Sequence, residues 1–166
     1  MTKYIIDANI LIQAYRKYYT MDVFISFWSH VQRLAESDVV VSIDKVGNEI
    51  IPGGDDLASW CIAQLPTRFF MNSAVCLGAY ANIISQVTAL NKYTPNALAE
   101  FSQVGESDAF LVAMALTPSP DDYVLVTEEH SEPNRINKVK IPDVCSMVGV
   151  RHINTIEMLK ELNITI

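Results

Sequence analysis

Four short, mostly apolar runs set the strongest constraint on how this chain folds. They are Lys3–Ile6, Val39–Val41, Tyr123–Val126 and the weaker Val150–Ile153. Runs this short and this apolar suit a parallel sheet buried on both faces by helices. Helical patterns lie between them. Asn9–Tyr18 and Asp22–Ala35 precede the second run, and Phe24, Phe27, Trp28, Val31 and Leu34 share one face of the latter. Ser42 to Ile50 reads as a helix capped by Ser42 and ended by Gly53-Gly54. The block Asp55–Leu116 is helical in pattern almost throughout, broken by Pro66 and Pro95. Pro142 suits a first helical turn and Gly149 a C-terminal cap; a last helix, Thr155–Leu162, starts from Asn154. The alternation predicts a single α/β domain over 1–166, with a central, mostly parallel sheet and a large helical insertion.

Composition narrows the function classes. Half of the 166 residues are hydrophobic and 19% are charged, which excludes a disordered chain. Cys61, Cys76 and Cys145 are an odd, widely spaced set without a CxxC pair. They suit a reducing cytosol better than a disulfide framework or a zinc site. Asp7 interrupts any apolar signal core. The longest apolar stretch, Ala74–Leu90, is broken by Asn82, Ser85, Gln86 and Thr88, short of the ~20 residues a membrane span needs. The expectation is a cytoplasmic protein with no membrane partner. The net charge of −7 argues against nucleic-acid binding by phosphate attraction alone. It is compatible with an acidic metal site, where bound cations reverse the local field.

In an open parallel sheet, ligands bind beyond the carboxyl ends of the strands, and that rule selects particular acids. Asp7 closes the first run, and Glu49 lies about two helical turns past the second. Asp108 stands near the start of a helix, and Glu128 and Glu129 follow Tyr123–Thr127. Each has a plain alternative: Asp108 as a favourable charge at a helix start, Glu49, Glu128 and Glu129 as solvated surface acids. Asp7 fits that alternative least, because a carboxylate ending a buried strand is costly to desolvate without a partner. Several carboxylates at one edge repel unless a cation shares the site, and oxygen-only ligands suit Mg²⁺ or Mn²⁺. Such ions activate water and stabilise charge on a scissile phosphate.

The ordered set of these motifs resembles the PIN domain, the fold of many metal-dependent ribonucleases and of VapC-type toxins. Ile5-Ile6-Asp7-Ala8-Asn9-Ile10-Leu11-Ile12 is similar to the family's first strand, which ends in a metal-ligating Asp oriented by the following Asn. Val41 to Ile50 resembles the second motif, with its helical Glu. Ser107-Asp108 and the small-residue helix after it match the third. Val126-Thr127-Glu128-Glu129 is similar to the fourth, with Glu where Asp is commoner. The resemblance implies a PIN-like three-layer α/β/α sandwich. It implies Asp7, Glu49, Asp108 and Glu129 as ligands of Mg²⁺ or Mn²⁺, with Asn9 and Thr127 supporting them. Apart from the resemblance, Glu128 after the same strand as Glu129 and Asp143 at a helix start are additional candidates for that edge of the sheet. The resemblance further implies hydrolysis of RNA by the toxin of a bacterial toxin–antitoxin pair, an antitoxin partner and a homodimer.

Two other readings stand beside it. One is a non-catalytic PIN-like module that binds RNA or protein. The other is a phosphatase of the haloacid dehalogenase type, which would need a second Asp where this chain has Asn9. The run Tyr15-Arg16-Lys17-Tyr18-Tyr19 either stacks on RNA or packs its tyrosines against the second helix. His30, His130 and His152 lack metal-ligand spacing, and Cys145 has no neighbour in sequence to activate it.

Overall fold

The computed structural model describes residues 1–166. Five strands form one sheet: β1 (Thr2–Ile6), β2 (Val40–Ile43), β3 (Phe70–Met71), β4 (Asp122–Val126) and β5 (His152–Ile153). Their spatial order is β3-β2-β1-β4-β5 and every neighbouring pair is parallel. The central strand β1 is buried from Tyr4 to Ile6, as its uniform apolar run requires.

Helices flank the sheet. They are α1 (Ala8–Gln13), α2 (Ile25–Glu36), α3 (Asp44–Ile50), α4 (Asp56–Gln64), α5 (Leu77–Ala89), α6 (Pro95–Phe101), α7 (Asp108–Leu116), α8 (Ile141–Val148) and α9 (Thr155–Glu161). Right-handed crossovers place the β1–β2 and β2–β3 connections on one face and the two later connections on the other. On that second face α5, α7 and α8 pack together. The run Ala109–Met114 is buried all round α7, which explains why its sequence shows no polar side. Phe110 is stacked under Tyr80, with centroids 4.2 Å apart. No helix is long and apolar enough to cross a membrane.

Several local expectations hold. Gly149 ends α8 at φ 79°, in the left-handed region that glycine enters without strain, and Pro142 lies in the first turn of that helix. Asn154 begins α9 with a reciprocal cap: its side chain accepts from the Glu157 N–H while Glu157 accepts from the Asn154 N–H.

Others are corrected. Ser42 does not cap a helix. It belongs to β2, and its buried hydroxyl donates to the Ile6 carbonyl at 2.7 Å, tying β2 to β1. Within the block expected to be helical, Phe70–Met71 form a fifth strand against Ser42 and Ile43. Gly47 makes room for it: a Cβ there would sit 3.2 Å from the Phe70 ring. The first helical stretch changes pitch after Gln13. Residues Ala14–Tyr18 form a π-helical turn, closed by the Tyr19 N–H on the Ala14 carbonyl at 2.8 Å.

Phe69, next to β3, is fully buried and packs edge-on to Phe70 at 4.9 Å. Phe69→Ala is expected to cost about 3–5 kcal/mol, the range for a truncated core aromatic, read as a lower urea midpoint at unchanged slope.

Candidate active site

The strand order places the site. From β1 the chain steps outward to β2 and β3, then returns to the other side of β1 for β4 and β5. The carboxyl ends of β1 and β4 therefore flank the switch point of the sheet, where parallel sheets bind ligands. The register pairs Ile6 with Val126, so the residues that follow, Asp7 and Thr127, leave the sheet side by side.

Asp7 is 2% exposed. The Thr127 hydroxyl donates to its Oδ2 at 3.2 Å, and the backbone N–H of Asn9 supplies a second hydrogen bond. The same hydroxyl accepts the Glu129 N–H at 3.2 Å. One threonine thus fixes two acids, which is what the spacing Thr127-x-Glu129 accomplishes. Burial, and after it the charges of Glu129 and Glu49, still push the Asp7 carboxyl up to about 6.

Asp108 opens α7 beside them. Burial pushes it up to about 7, with Asp7, Glu129 and Glu106 adding to the rise and Lys138 opposing it. Glu129 reaches the start of α8: its Oε2 accepts the Ile141 N–H at 2.9 Å, and its Oε1 lies 3.5 Å from the Lys140 ammonium. Glu49 is exposed on α3. Partial desolvation and then Glu106 raise its carboxyl, while a hydrogen bond with the Ser107 side chain lowers it.

The remaining sequence candidates are placed differently. Asn9 supports Asp7 through its backbone amide. The Glu128 Oε1 accepts both the N–H and the hydroxyl of Thr155, which anchors the start of α9. Asp143 takes the Ser131 hydroxyl and the Glu132 N–H, the latter at 3.1 Å, and so fastens the loop before α8. The cysteines are buried and free, their thiols pushed up by burial to about 11 for Cys76 and about 12 for Cys61 and Cys145. They are packing residues.

Three groups in this cluster were not assigned to it from the sequence, although Lys138 and Lys140 stand out there as part of a small basic group with Arg135. Glu106 adds negative charge near Glu49 and Asp108. Lys138 faces Asp108 while pairing with Glu100 at 2.9 Å, and Lys140 faces Glu129. The spacing Lys138-x-Lys140 just before α8 is the signal that could have found the lysines. Asp44 was also missed: its Oδ1 is buried without a partner, but its charge acts on Cys76 rather than on Asp7.

The donor chemistry fits a hard divalent cation, because every acid in the cluster offers oxygen and several raise one another's carboxyls. As the side chains stand, no three of them are close enough together to hold an ion in common.

Residues 4–166 match the family model described as "Domain of unknown function (DUF4411)". No curated protein matches the chain. Among solved structures, the chain is similar to one from "Crystal structure of VapBC2 from Rickettsia felis bound to a DNA fragment from their promoter". The identity is 14% and the TM-score 0.53, with 93% of this chain and 98% of that chain covered. That likeness establishes the fold, which is PIN-like.

The raised carboxyls fix the sign of a pH effect. The folded chain holds protons on Asp7 and Asp108 that the unfolded chain has already released between about pH 4 and 7. This contribution to stability is fully present below about pH 4 and is lost as pH rises through 6 and 7. In EDTA at pH 7.5, Asp7→Asn and Asp108→Asn are therefore expected to melt higher than the parent, with the gap closing by about pH 4. Thermal melts across that range check this.

Proposed function

The chain belongs to the DUF4411 family, and we propose that it is a metal-dependent endoribonuclease. Asp7, Asp108, Glu129 and Glu49 would hold Mg²⁺ or Mn²⁺. The observation that carries this reading is the pairing of Asp7 and Asp108 at the switch point. Both are raised by burial first and then by neighbouring acids, and Asp7 is tied through Thr127 to Glu129. Carboxylates kept at that electrostatic cost favour function over stability.

When bound, the cation supplies Lewis acidity that activates water and offsets charge on a scissile phosphate. The chain's own residues do the rest. Asp7 is the fixed ligand, held by Thr127 and the Asn9 amide so that it needs no reorganisation. Asp108, pushed up to about 7 by burial and the neighbouring acids, would be held ionised by a shared cation and would serve as a ligand beside Asp7. Glu129 is held by the Ile141 amide, and Lys140 at 3.5 Å limits its charge until phosphate arrives. Lys138 and Lys140 are the cations placed to meet phosphate oxygens beside the acids.

RNA as substrate, a toxin role, an antitoxin partner and a homodimer rest on the resemblance to PIN-domain toxins. The similarity to a VapBC2 structure is in keeping with the toxin role and the antitoxin partner. A second reading has two observations in its favour. Glu129 is already engaged by Ile141 and Lys140, and no three acids converge, as expected of a binding module without catalysis.

Cleavage of purified cellular RNA separates the two. The parent is expected to cut with Mn²⁺ and not with EDTA, and matched preparations of Asp7→Asn and Asp108→Asn to lose at least about a hundredfold in rate. Equal cutting by all three would identify a contaminant. A folded parent that neither cuts RNA nor binds Mn²⁺ would leave the binding module. Thr127→Val, which keeps shape but frees Asp7, is expected to lower activity by about 10–100-fold with folding intact.

A further inference from the structure

Beside the acids, on the β5 side, lies a pocket that the cleavage chemistry leaves unused. It has a cavity of about 160 Å³ between the π-helical turn Ala14–Tyr18 and the first residues of α9. Ile10, Ala14 and Ile156 give it apolar walls, and Tyr18 and Tyr19 add two aromatic rings. Tyr19 is a fixed wall. Its ring stacks on Phe27 at 4.4 Å, and its carbonyl accepts the Trp28 indole N–H at 2.6 Å. Tyr18 is different: it is 57% exposed, a large ring left in water at the mouth.

Polar groups stand at defined points in this apolar setting. Both Thr155 bonds fall on the Glu128 Oε1, which leaves Oε2 open to a donor, and the Gln13 amide lines the same cavity. Glu128 follows Thr127, whose hydroxyl bonds Asp7, and Ile10 lies in the helix that starts after Asp7, so two of the pocket's walls come from the strand ends that carry the acids. The π-turn itself is a costly irregularity of the kind that marks functional sites, and here it carries both tyrosines toward the cavity. Arg16 and Lys17 are exposed on that turn, a small positive group on a chain of net charge −7.

We propose that this pocket holds a single unpaired nucleobase of the RNA whose neighbouring phosphate is presented to Asp7. The proposal rests on the nuclease reading for its substrate. The cavity admits one heterocyclic ring system and is too small for a helix or strand of a protein partner. Aromatic rings and aliphatic walls suit the faces of a base, which stacks with little regard to sequence. The open carboxylate oxygen, an acceptor only, then selects at the edge. It favours bases with an exocyclic amine and disfavours uracil, whose carbonyls flank its one N–H.

The test is nucleotide binding followed by protein NMR, with the Asp7→Asn protein in EDTA, so that no catalysis is needed. AMP is expected to shift resonances of Ile10, Ala14, Tyr18 and Ile156, and UMP to bind about tenfold more weakly. Tyr18→Ala and Ile156→Ser change exposed side chains and are expected to weaken AMP binding about tenfold or more with the fold unchanged. Mapping RNA cut sites with these substitutions in the Asp7 protein is expected to show loss of the bias against uracil beside the cut. AMP shifts elsewhere, or equal affinity in both variants, overturn the pocket even where RNA is cut in an Asp7-dependent way. AMP binding at the pocket in a protein that cuts no RNA supports the pocket and overturns the nuclease reading instead.

Discussion

The structure depends on keeping a carboxylate, Asp7, where the sheet reverses its strand order and water is largely excluded. Desolvation alone disfavours an ionised group there, and Glu129 and Glu49 add repulsion. The fold compensates locally. The parallel register of β1 and β4 brings the Thr127 hydroxyl against Asp7, and the turn into α1 supplies the Asn9 amide. Glu129 follows because Thr127 also receives its N–H, and α8 follows because its first amide, Ile141, bonds the Glu129 carboxylate. A run of hydrogen bonds therefore links the sheet centre to a helix start more than a hundred residues away in sequence. The lysines beside Asp108 and Glu129 moderate the remaining charge without removing it.

Much of this was legible in the sequence, for physical reasons. Strands buried on both faces write themselves as uniform apolar runs, so β1, β2 and β4 could be read within a residue or two at either end. The acids that end them stood out because a charge closing such a run is costly. Caps are local chemistry, which is why Gly149 and the Asn154 cap could be read directly. Strand β3 is different. Two residues are too few for a period, and Phe70-Met71 lies among apolar residues that look the same in a buried helix.

Tertiary contacts decided the rest. Ser42 has the composition of a cap, but Ile6 offered its carbonyl and the strand ran on. The π-turn has no sequence signature, and the two tyrosines after Arg16-Lys17 divided: Tyr19 packs on α2 while Tyr18 faces solvent. The spacing from Thr127 singled out Glu129 over Glu128, and the contacts separate the two side chains. Thr155 draws one toward α9 and Ile141 draws the other toward α8. Glu106, Lys138 and Lys140 join the site from loops, where no periodicity announces them.

The central claim is that these carboxylates form one cation site. A crystal grown with Mn²⁺ near pH 7.5 tests it most directly, through the anomalous signal of the metal. The account predicts a peak at about 2.0–2.2 Å from oxygens of Asp7 and Asp108, with Glu129 or Glu49 turned inward to complete the set. A fully ordered site holding only water between Asp7 and Asp108 at saturating Mn²⁺ would contradict it.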